Sequence, residues 1–305
     1  MEIRIATRKS ELALWQARHV AEKLEKLPAR PTVSLVPLST RGDEILDKSL
    51  QKIGGKGLFI KELEVAMQHG SADIAVHSMK DVPAEMPDGF CIAAVLERAN
   101  PSDAFVSGSK RRFADLPPGS RIGSSSLRRQ AQLKACRPDI EVIPLRGNVN
   151  TRLRKLDEGQ YDAIILASAG LERLGFQARI TEEFSSEQML PAAAQGVVGI
   201  ECLAGRTDLL EILALLEDPV SKLTTAAERA VAATLNASCQ SPVASYAVIE
   251  NDTLTIRAVV ASVDGGTVLR ESASGRPRDA AALGITVAKQ LLAQGAGKLL
   301  AGDSG

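Results

Sequence analysis

The sequence predicts an α/β protein with two domains of similar topology, followed by a small C-terminal α+β domain with a three-stranded antiparallel sheet. Strands alternate with helices over residues 4–168, and the order of elements in the first half of this segment recurs in the second. Such alternation predicts mostly parallel sheets with right-handed crossovers. After residue 242, three strand-like segments separated by turn residues predict the antiparallel sheet.

Each copy of the repeat contains three strands and two helices in the same order. Apolar residues at helical spacing define the helices, and Gly70 and Gly159 end the second helix of each copy. An aspartate follows each of these glycines by three positions, so the two copies match in register. The first copy comprises a strand over 4–10, a helix over 12–27, a strand over 33–38, a helix near 59–68 and a strand over 72–78. The second comprises a strand over 121–126, a helix over 127–135, a strand over 141–147, a helix over 151–156 and a strand over 161–168.

The chain changes in character near Pro219, where the third domain is predicted to begin. Before it stand a strand over 197–202 and an apolar helix over 209–216, which the pattern alone places in neither of the first two domains. The third domain comprises a helix over 223–235, a polar loop over 236–242, strands over 243–249, 254–263 and 268–274, and a helix over 279–294.

The third strand of the first copy begins as an apolar run and ends in charge. Residues 74–76 are expected to form a short buried strand, with Lys80 and Asp81 just beyond its carboxyl end. Pro83 has no backbone N–H, so it cannot donate a further hydrogen bond to the sheet. In open α/β sheets, ligands bind beyond the carboxyl ends of the strands. The pair is therefore a candidate for chemistry, although this stretch alone fits a surface ion pair equally well.

Arginines are concentrated where the repeat predicts loops, in both copies. A guanidinium group is a planar fork that matches carboxylate or phosphate, and serines 124–126 before a helix offer further anion-binding groups. A single arginine such as Arg128 or Arg152 more often lies on a solvated helix face. Their recurrence at equivalent loops favours a polyanionic ligand in a cleft between the two domains. The arginines concerned are Arg8, Arg41, Arg121, Arg128, Arg129, Arg146, Arg152 and Arg154.

Cys239 differs from the other three cysteines because it lies in a polar loop, where an exposed thiol is a candidate nucleophile or attachment point. Cys91 and Cys202 lie in apolar runs and Cys136 lies near a helix end, so these three are expected to act as small hydrophobes. The wide spacing of the four argues against a zinc site and a disulfide framework, and it suits a reducing cytosol. The three histidines form no triad or metal pattern, and His77 is expected to be a satisfied strand residue.

Composition excludes several classes of function. Hydrophobic residues make up 45% of the chain and charged residues 24%, as in a well-packed globular protein. Lys plus Arg equals Asp plus Glu at 37 each, and aromatics are only 3%, which argues against a nucleic-acid binder that would use Arg128, Arg129, Arg152 and Arg154. No apolar run has the length of a membrane span, and the N-terminus shows no export signal. We therefore expect a cytoplasmic protein, and the lack of a clear apolar interface pattern favours a monomer.

Four segments together resemble the porphobilinogen deaminases, also called hydroxymethylbilane synthases. They are 76–83 (VHSMKDVP), 123–129 (GSSSLRR), 145–148 (LRGN) and the loop that contains Cys239, and the resemblance extends from Ile3 to about Leu300. It implies two periplasmic-binding-protein-like domains around a cleft, with the strand near Val197 crossing back into the first. The implied boundaries are 1–98 with 197–217 for domain 1, 99–196 for domain 2 and 218–305 for the C-terminal cofactor-attachment domain.

The resemblance implies a transferase of tetrapyrrole and heme biosynthesis. Such enzymes deaminate four porphobilinogen molecules and join them head to tail onto a dipyrromethane that the enzyme assembles itself and keeps. Hydrolysis then releases the linear tetrapyrrole hydroxymethylbilane. The residue that matches the family's attachment cysteine, which holds the cofactor by a thioether, is Cys239.

The resemblance also assigns roles to individual residues. Asp81 matches the catalytic aspartate, whose carboxylate would stabilise the cationic azafulvene formed when ammonia leaves and would help to move the proton lost on bond formation. Each pyrrole carries an acetate and a propionate, which explains the cationic residues. Cofactor binding is implied for Lys80, Ser126, Arg128, Arg129, Arg146 and Gln195. Substrate binding is implied for Arg8, Ser10, Arg152 and Arg173, and for Lys52, Lys56 and Phe59 of a glycine-rich loop that would close over the cleft; no metal is implied.

The chain departs from the family pattern in two loops. Ala237 and Ser238 precede the cysteine where a glycine pair is common, and Ala194 stands where glycine is frequent. Both changes bear on local loop geometry, and neither removes a reacting group. The alternative function is a two-lobed protein that binds an anion without chemistry, but such a protein would need no third domain with an exposed thiol.

Overall fold

The computed structural model describes residues 1–40, 60–238 and 240–301. They form two compact units, Met1–Ala99 with Val197–Lys222, and Asn100–Gly196 with Leu223–Gly305. Each unit contains a five-stranded sheet, and the second also contains a three-stranded antiparallel sheet. The predicted α/β class with a separate small antiparallel sheet is confirmed.

Most elements begin and end within a few residues of their predicted positions. The strands are β1 (Glu2–Arg8), β2 (Thr32–Leu38), β3 (Ile74–Ser78), β4 (Phe90–Val95), β5 (Asp103–Ser107), β6 (Arg121–Gly123), β7 (Glu141–Ile143), β8 (Ala163–Ala167), β9 (Glu182–Glu183), β10 (Val198–Leu203), β11 (Val243–Glu250), β12 (Thr253–Ala261) and β13 (Val268–Gly275). The helices of the described residues are α1 (Glu11–Glu25), α2 (Lys61–Gln68), α3 (Leu127–Cys136), α4 (Val149–Asp157), α5 (Ser168–Arg173), α6 (Thr207–Leu213), α7 (Pro219–Thr234), α8 (Ala280–Ala293) and α9 (Ala296–Ala301). None of these helices is long and apolar enough to span a bilayer.

The first sheet has the order β2-β1-β3-β10-β4, with β10 antiparallel to its two neighbours and the other four strands parallel to one another. Successive side chains of a strand point to opposite faces. Ile3 and Ile5 of β1 therefore pack with α1 and α6 on one face, whereas Ala6 packs with α2 on the other. The strand that the sequence pattern left unplaced thus lies inside the first sheet.

The second sheet has the order β7-β6-β8-β5-β9 and repeats the pattern of the first. Strands β7, β6 and β8 correspond to β2, β1 and β3, and the fourth strand, β5, is again the antiparallel one. Helices α3 and α4 contribute to the cores on opposite faces, through Leu133 on one side and Leu153 and Leu156 on the other. The predicted likeness of the two domains is confirmed.

The small sheet has the order β11-β12-β13 and packs against α7 and α8. Asn251 and Asp252 both have positive φ, as a two-residue hairpin turn requires, and they join β11 to β12. Helices α7 and α8 approach so closely at Gly284 that a Cβ there would lie 2.2 Å from the Ala227 carbonyl oxygen. Only glycine fits at this helix contact.

Three of the element boundaries that differ from the prediction have local causes. Helix α4 begins at Val149 rather than residue 151, because Asn148 caps it by accepting a hydrogen bond from the Thr151 N–H at 2.9 Å. Helix α7 begins at Pro219, where the Asp218 carboxylate accepts from the Ser221 N–H at 2.7 Å. Strand β7 ends at Ile143, because the proline that follows cannot donate to a ladder.

Candidate active site

The turn that carries Lys80 and Asp81 is held tightly to the first sheet. Strand β3 runs directly into a short 3-10 turn, Met79–Asp81. The Met79 N–H donates to the Val197 carbonyl at 3.0 Å, and Gln16 Nε2 of α1 donates to Ser78 Oγ at 2.7 Å. Met79 is buried, whereas the Asp81 carboxylate is exposed. The fold thus presents a carboxylate at the carboxyl end of a buried strand.

Arg8 and Ser10 lie at the same edge of the first sheet as this turn. Strands β1 and β3 are parallel neighbours, so their carboxyl ends lie side by side. Arg8 is the last residue of β1, and Ser10 caps α1 by accepting from the Ala13 N–H at 3.4 Å. The structure therefore brings four predicted site residues to one edge: Arg8, Ser10, Lys80 and Asp81.

A buried hydrogen bond joins β3 to β10 next to this edge. His77 Nε2 is 2.7 Å from Glu201 Oε2, and both side chains are buried. Glu201 Oε1 has no hydrogen-bond partner among the described residues. Burial, with the nearby Glu201 charge, raises the pKa of Glu64 on α2. His77 is bonded within the sheet, and its partner Glu201 gave no signal in the sequence pattern.

In the second unit, the serine run links the loops that follow β6 and β7. Ser125 Oγ donates to the Leu145 carbonyl at 3.0 Å and accepts from the Leu145 N–H at 3.1 Å. Ser126 caps α3 by accepting from the Arg129 N–H at 3.5 Å. These contacts place Ser126 and the segment that contains Arg146 on adjacent loops.

Arg146 and Arg152 occupy the loop after β7 and the first turns of α4. Gly147 between them has φ +114°, and a Cβ there would lie 2.7 Å from Thr151 Cγ2. Arg152 Nε donates to the Gly147 carbonyl at 2.7 Å, which ties its guanidinium back to the loop. Both arginines are half-buried, so neither lies on a fully solvated helix face.

Arg128 and Arg129 are buried and both pair with one carboxylate, that of Asp103. Arg128 donates to both Asp103 oxygens at 2.6 and 3.1 Å, and Arg129 Nη2 donates to Oδ1 at 2.7 Å. Burial alone would raise the pKa of Asp103, but the charges of Arg128 and Arg129 outweigh it and hold the pKa well below its usual value. The alternative that Arg128 lies on a solvated helix face is wrong, because only 5% of it is exposed.

The loop 191–196 contains Gln195 and accepts a hydrogen bond from Arg173. Gln195 Nε2 donates to Asp103 Oδ1 at 3.1 Å and to the Pro101 carbonyl at 2.7 Å, whereas Arg173 Nη2 donates to the Gly196 carbonyl at 2.7 Å. Burial lowers the pKa of Arg173 to about 10. Gln195 therefore joins the cluster around Asp103, and Arg173 lies against the same loop.

Ala194 has a left-handed backbone conformation, with φ +57°. Its N–H donates to Glu228 Oε2 of α7 at 2.5 Å. Glu228 is buried and also accepts from the Ala247 N–H of β11 at 2.8 Å. The loop thus keeps a conformation that suits the family's usual glycine, although this chain places alanine there.

Replacing Ala194 by glycine is expected to stabilise the protein by up to about 1 kcal/mol, because relief of the left-handed strain, about 1–2 kcal/mol, exceeds the about 0.8 kcal/mol lost with a buried methyl group. Urea unfolding measures the difference. The matched control is Ala282→Gly in the exposed first turn of α8, which should lose up to about 1 kcal/mol because glycine has a low helix propensity. A loss of stability in Ala194→Gly would contradict the strain.

Four predicted site residues lie outside the described residues: Lys52, Lys56, Phe59 and Cys239. Arg41 does so as well. Cys239 lies in the connection between α7 and β11, where the Ser238 N–H donates to Ser241 Oγ at 3.0 Å. Three buried carboxylates at or near the site, Asp103, Glu201 and Glu228, were missed by the sequence analysis.

Two family models match the chain. The one described as "Porphobilinogen deaminase, dipyromethane cofactor binding domain" covers residues 3–211, and "Porphobilinogen deaminase, C-terminal domain" covers residues 222–293. The chain belongs to the porphobilinogen deaminase family. The first match spans more than half of the sequence, including both five-stranded sheets, and the second spans the small antiparallel sheet.

Curated porphobilinogen deaminases resemble the chain over nearly its whole length. The protein from Chromobacterium violaceum is 54% identical over 300 residues, which is 98% of this chain and 97% of the relative. The one from Laribacter hongkongensis is 52% identical over 295 residues, which is 97% of this chain and 96% of the relative. Among solved structures, the VFT2 domain of Bordetella pertussis BvgS is 15% identical, with a TM-score of 0.42 over 70% of this chain and 84% of that one.

Family membership confirms the function that the motifs predicted. As a member of this family, the protein is a transferase of tetrapyrrole and heme biosynthesis that deaminates porphobilinogen and joins four molecules head to tail. It uses a dipyrromethane cofactor and releases hydroxymethylbilane by hydrolysis. The alternative of an anion-binding protein without chemistry is not favoured.

Proposed function

We propose that Asp81 is the catalytic residue of this porphobilinogen deaminase. The observation that carries the proposal is the exposed Asp81 carboxylate on a turn anchored to the end of β3, beside Lys80, Arg8 and Ser10. Loss of ammonia from porphobilinogen leaves a positive charge on its pyrrole, and a fixed carboxylate stabilises such a charge. The same carboxylate would accept the proton that leaves when the new carbon–carbon bond forms.

We propose further that Lys80, Ser126, Arg128, Arg129, Arg146 and Gln195 hold the dipyrromethane, with Cys239 as its attachment point. Two buried guanidinium groups share one carboxylate at Asp103, and guanidinium groups are the donors best matched to an acetate or propionate. The donor set of the second unit therefore fits an anionic group. When bound, the dipyrromethane supplies the pyrrole carbon to which the first substrate is joined.

The substrate carboxylates are proposed to bind Arg8, Ser10, Arg152 and Arg173, together with Lys52, Lys56 and Phe59. Bidentate guanidinium–carboxylate pairs give both attraction and orientation. Arg8 and Ser10 share the sheet edge with Asp81, which supports their assignment to the reacting substrate. Arg173 is half-buried, so an anion near it would be less screened by water than on a fully exposed surface.

The Cys239 attachment predicts both a mass and a thiol count. Intact protein should exceed its sequence mass by one dipyrromethane, and denatured protein should react with a thiol reagent at three of its four cysteines. In Cys136→Ser, a change at an exposed cysteine outside the proposed site, the count should fall to two with the extra mass retained. Four reactive thiols in active protein would rule out the attachment.

We also propose that the protein is a cytoplasmic monomer with three domains, at 1–98 with 197–217, at 99–196 and at 218–305. The balanced charge and the absence of a C-x-x-C motif from the sequence support this setting. The sheet β11-β12-β13 and its own apolar core support the third domain. Light scattering during size exclusion would measure the oligomeric state, and a dimer mass would reject the monomer.

A further inference from the structure

Asp103 is the first residue of β5, and its side chain is fully buried. Oδ2 accepts a hydrogen bond from Arg128 Nη1 at 2.6 Å. Oδ1 accepts from Arg128 Nη2 at 3.1 Å, from Arg129 Nε and Nη2 at 2.9 and 2.7 Å, and from Gln195 Nε2 at 3.1 Å. One carboxylate therefore contacts three of the residues proposed to hold the cofactor.

The arrangement around Asp103 fixes the direction of both guanidinium groups. Arg128 Nη1 also donates to the Leu190 carbonyl at 2.8 Å, and Arg129 Nη1 donates to the Ile165 carbonyl at 3.0 Å. Each guanidinium thus donates hydrogen bonds to the Asp103 carboxylate and to a backbone carbonyl from another part of the second unit. Two adjacent buried positive charges repel each other, and a shared carboxylate is what allows them to lie together.

Asp103 also links parts of the chain that are far apart in sequence. Arg128 and Arg129 lie in the first turn of α3, whose N-terminus Ser126 caps, whereas Gln195 belongs to the loop 191–196. Asp103 therefore fixes the relative orientation of these three side chains, although it is itself buried and inaccessible to a ligand.

We propose that Asp103 is a positioning residue for the dipyrromethane: it holds Arg128, Arg129 and Gln195 in the orientation in which they bind the cofactor carboxylates, without touching the cofactor. The inference rests on the assignment of those three residues to the cofactor. It requires that a protein with a displaced or neutral residue 103 folds but retains less cofactor.

The test measures two quantities on the full-length protein. Intact mass gives the loaded fraction, which is the fraction of molecules that carry the dipyrromethane, and thermal unfolding gives the midpoint temperature. In Asp103→Asn, the fraction that carries the dipyrromethane should fall about ten-fold or more, as is typical when a residue that orients ligand-binding side chains is lost. Asp103→Glu keeps the charge but lengthens the side chain, so it should fold and still show a reduced loaded fraction. It decides the question if Asp103→Asn does not fold.

The control for stability is Ile140→Ala, which removes a buried side chain from the same unit without changing the Asp103 contacts. Ile140→Ala should unfold at a lower temperature and remain fully loaded. If Asp103 had only a structural role, Asp103→Asn would behave in the same way. Normal loading of either folded Asp103 variant overturns the inference. If Arg128→Gln and Arg129→Gln also load normally, the cofactor assignment itself fails; if they do not, only the role of Asp103 is rejected.

Discussion

Replacing Asp81 by asparagine is expected to lower the turnover of porphobilinogen by about a thousand-fold, the upper range for loss of one electrostatic group in an active site. The amide has nearly the shape of the carboxylate but no negative charge, so it cannot stabilise the cation left when ammonia departs. Because Asp81 is exposed, its replacement should leave the fold and the cofactor load unchanged. Steady-state kinetics and intact mass measure the two effects separately.

Asp88→Asn is the matched control, since Asp88 is an exposed aspartate seven positions further along the same unit. It removes the same charge and should turn over substrate normally. Normal turnover in Asp81→Asn would reject the catalytic role, and loss of the cofactor mass would instead assign Asp81 to cofactor retention.

The repeat was predictable because the signals for each of its elements lie within a short stretch of sequence. Apolar periodicity marks the helices and strands, and glycines mark the helix ends. The apolar pattern did not place β10, because it pairs with β3 and β4 from more than a hundred residues away, and nothing in its own run of six residues identifies those partners. Only the family resemblance assigned this strand to the first domain. Helix starts were missed where a cap such as Asn148 precedes the first apolar residue.

Candidate site residues could be predicted where the residue type itself indicates chemistry, as with the arginines in loops and Asp81 at a strand end, and their roles remain predictions. Asp103 was missed because no strand was predicted over 103–107, and its partners lie 25 and 92 positions away. A buried charge must be paired, so the burial of Arg128 and Arg129 requires a carboxylate partner, but the sequence did not show that these arginines are buried.

A change in packing at Gly199 is expected to disturb the turn that carries Asp81, the proposed catalytic residue. A Cβ at Gly199 would lie 2.1 Å from Met79 Sδ, and Met79 is 2% exposed. Gly199→Ala should therefore cost about 1–3 kcal/mol of unfolding free energy, as overpacking does. Since Met79 begins the turn that carries Asp81, turnover should fall as well. Urea unfolding and kcat measure the two losses.

Gly205→Ala is the control, because no atom lies within 4 Å of a Cβ at this position in the same unit. It should change neither stability nor turnover. In the double variant Gly199→Ala/Met79→Val, the shorter side chain removes the overlapping sulfur, so the two single losses should not add. If the losses of stability and turnover were additive, the added methyl group would act elsewhere than on Met79. The proposed effect of Gly199 on Asp81 through Met79 would then be rejected.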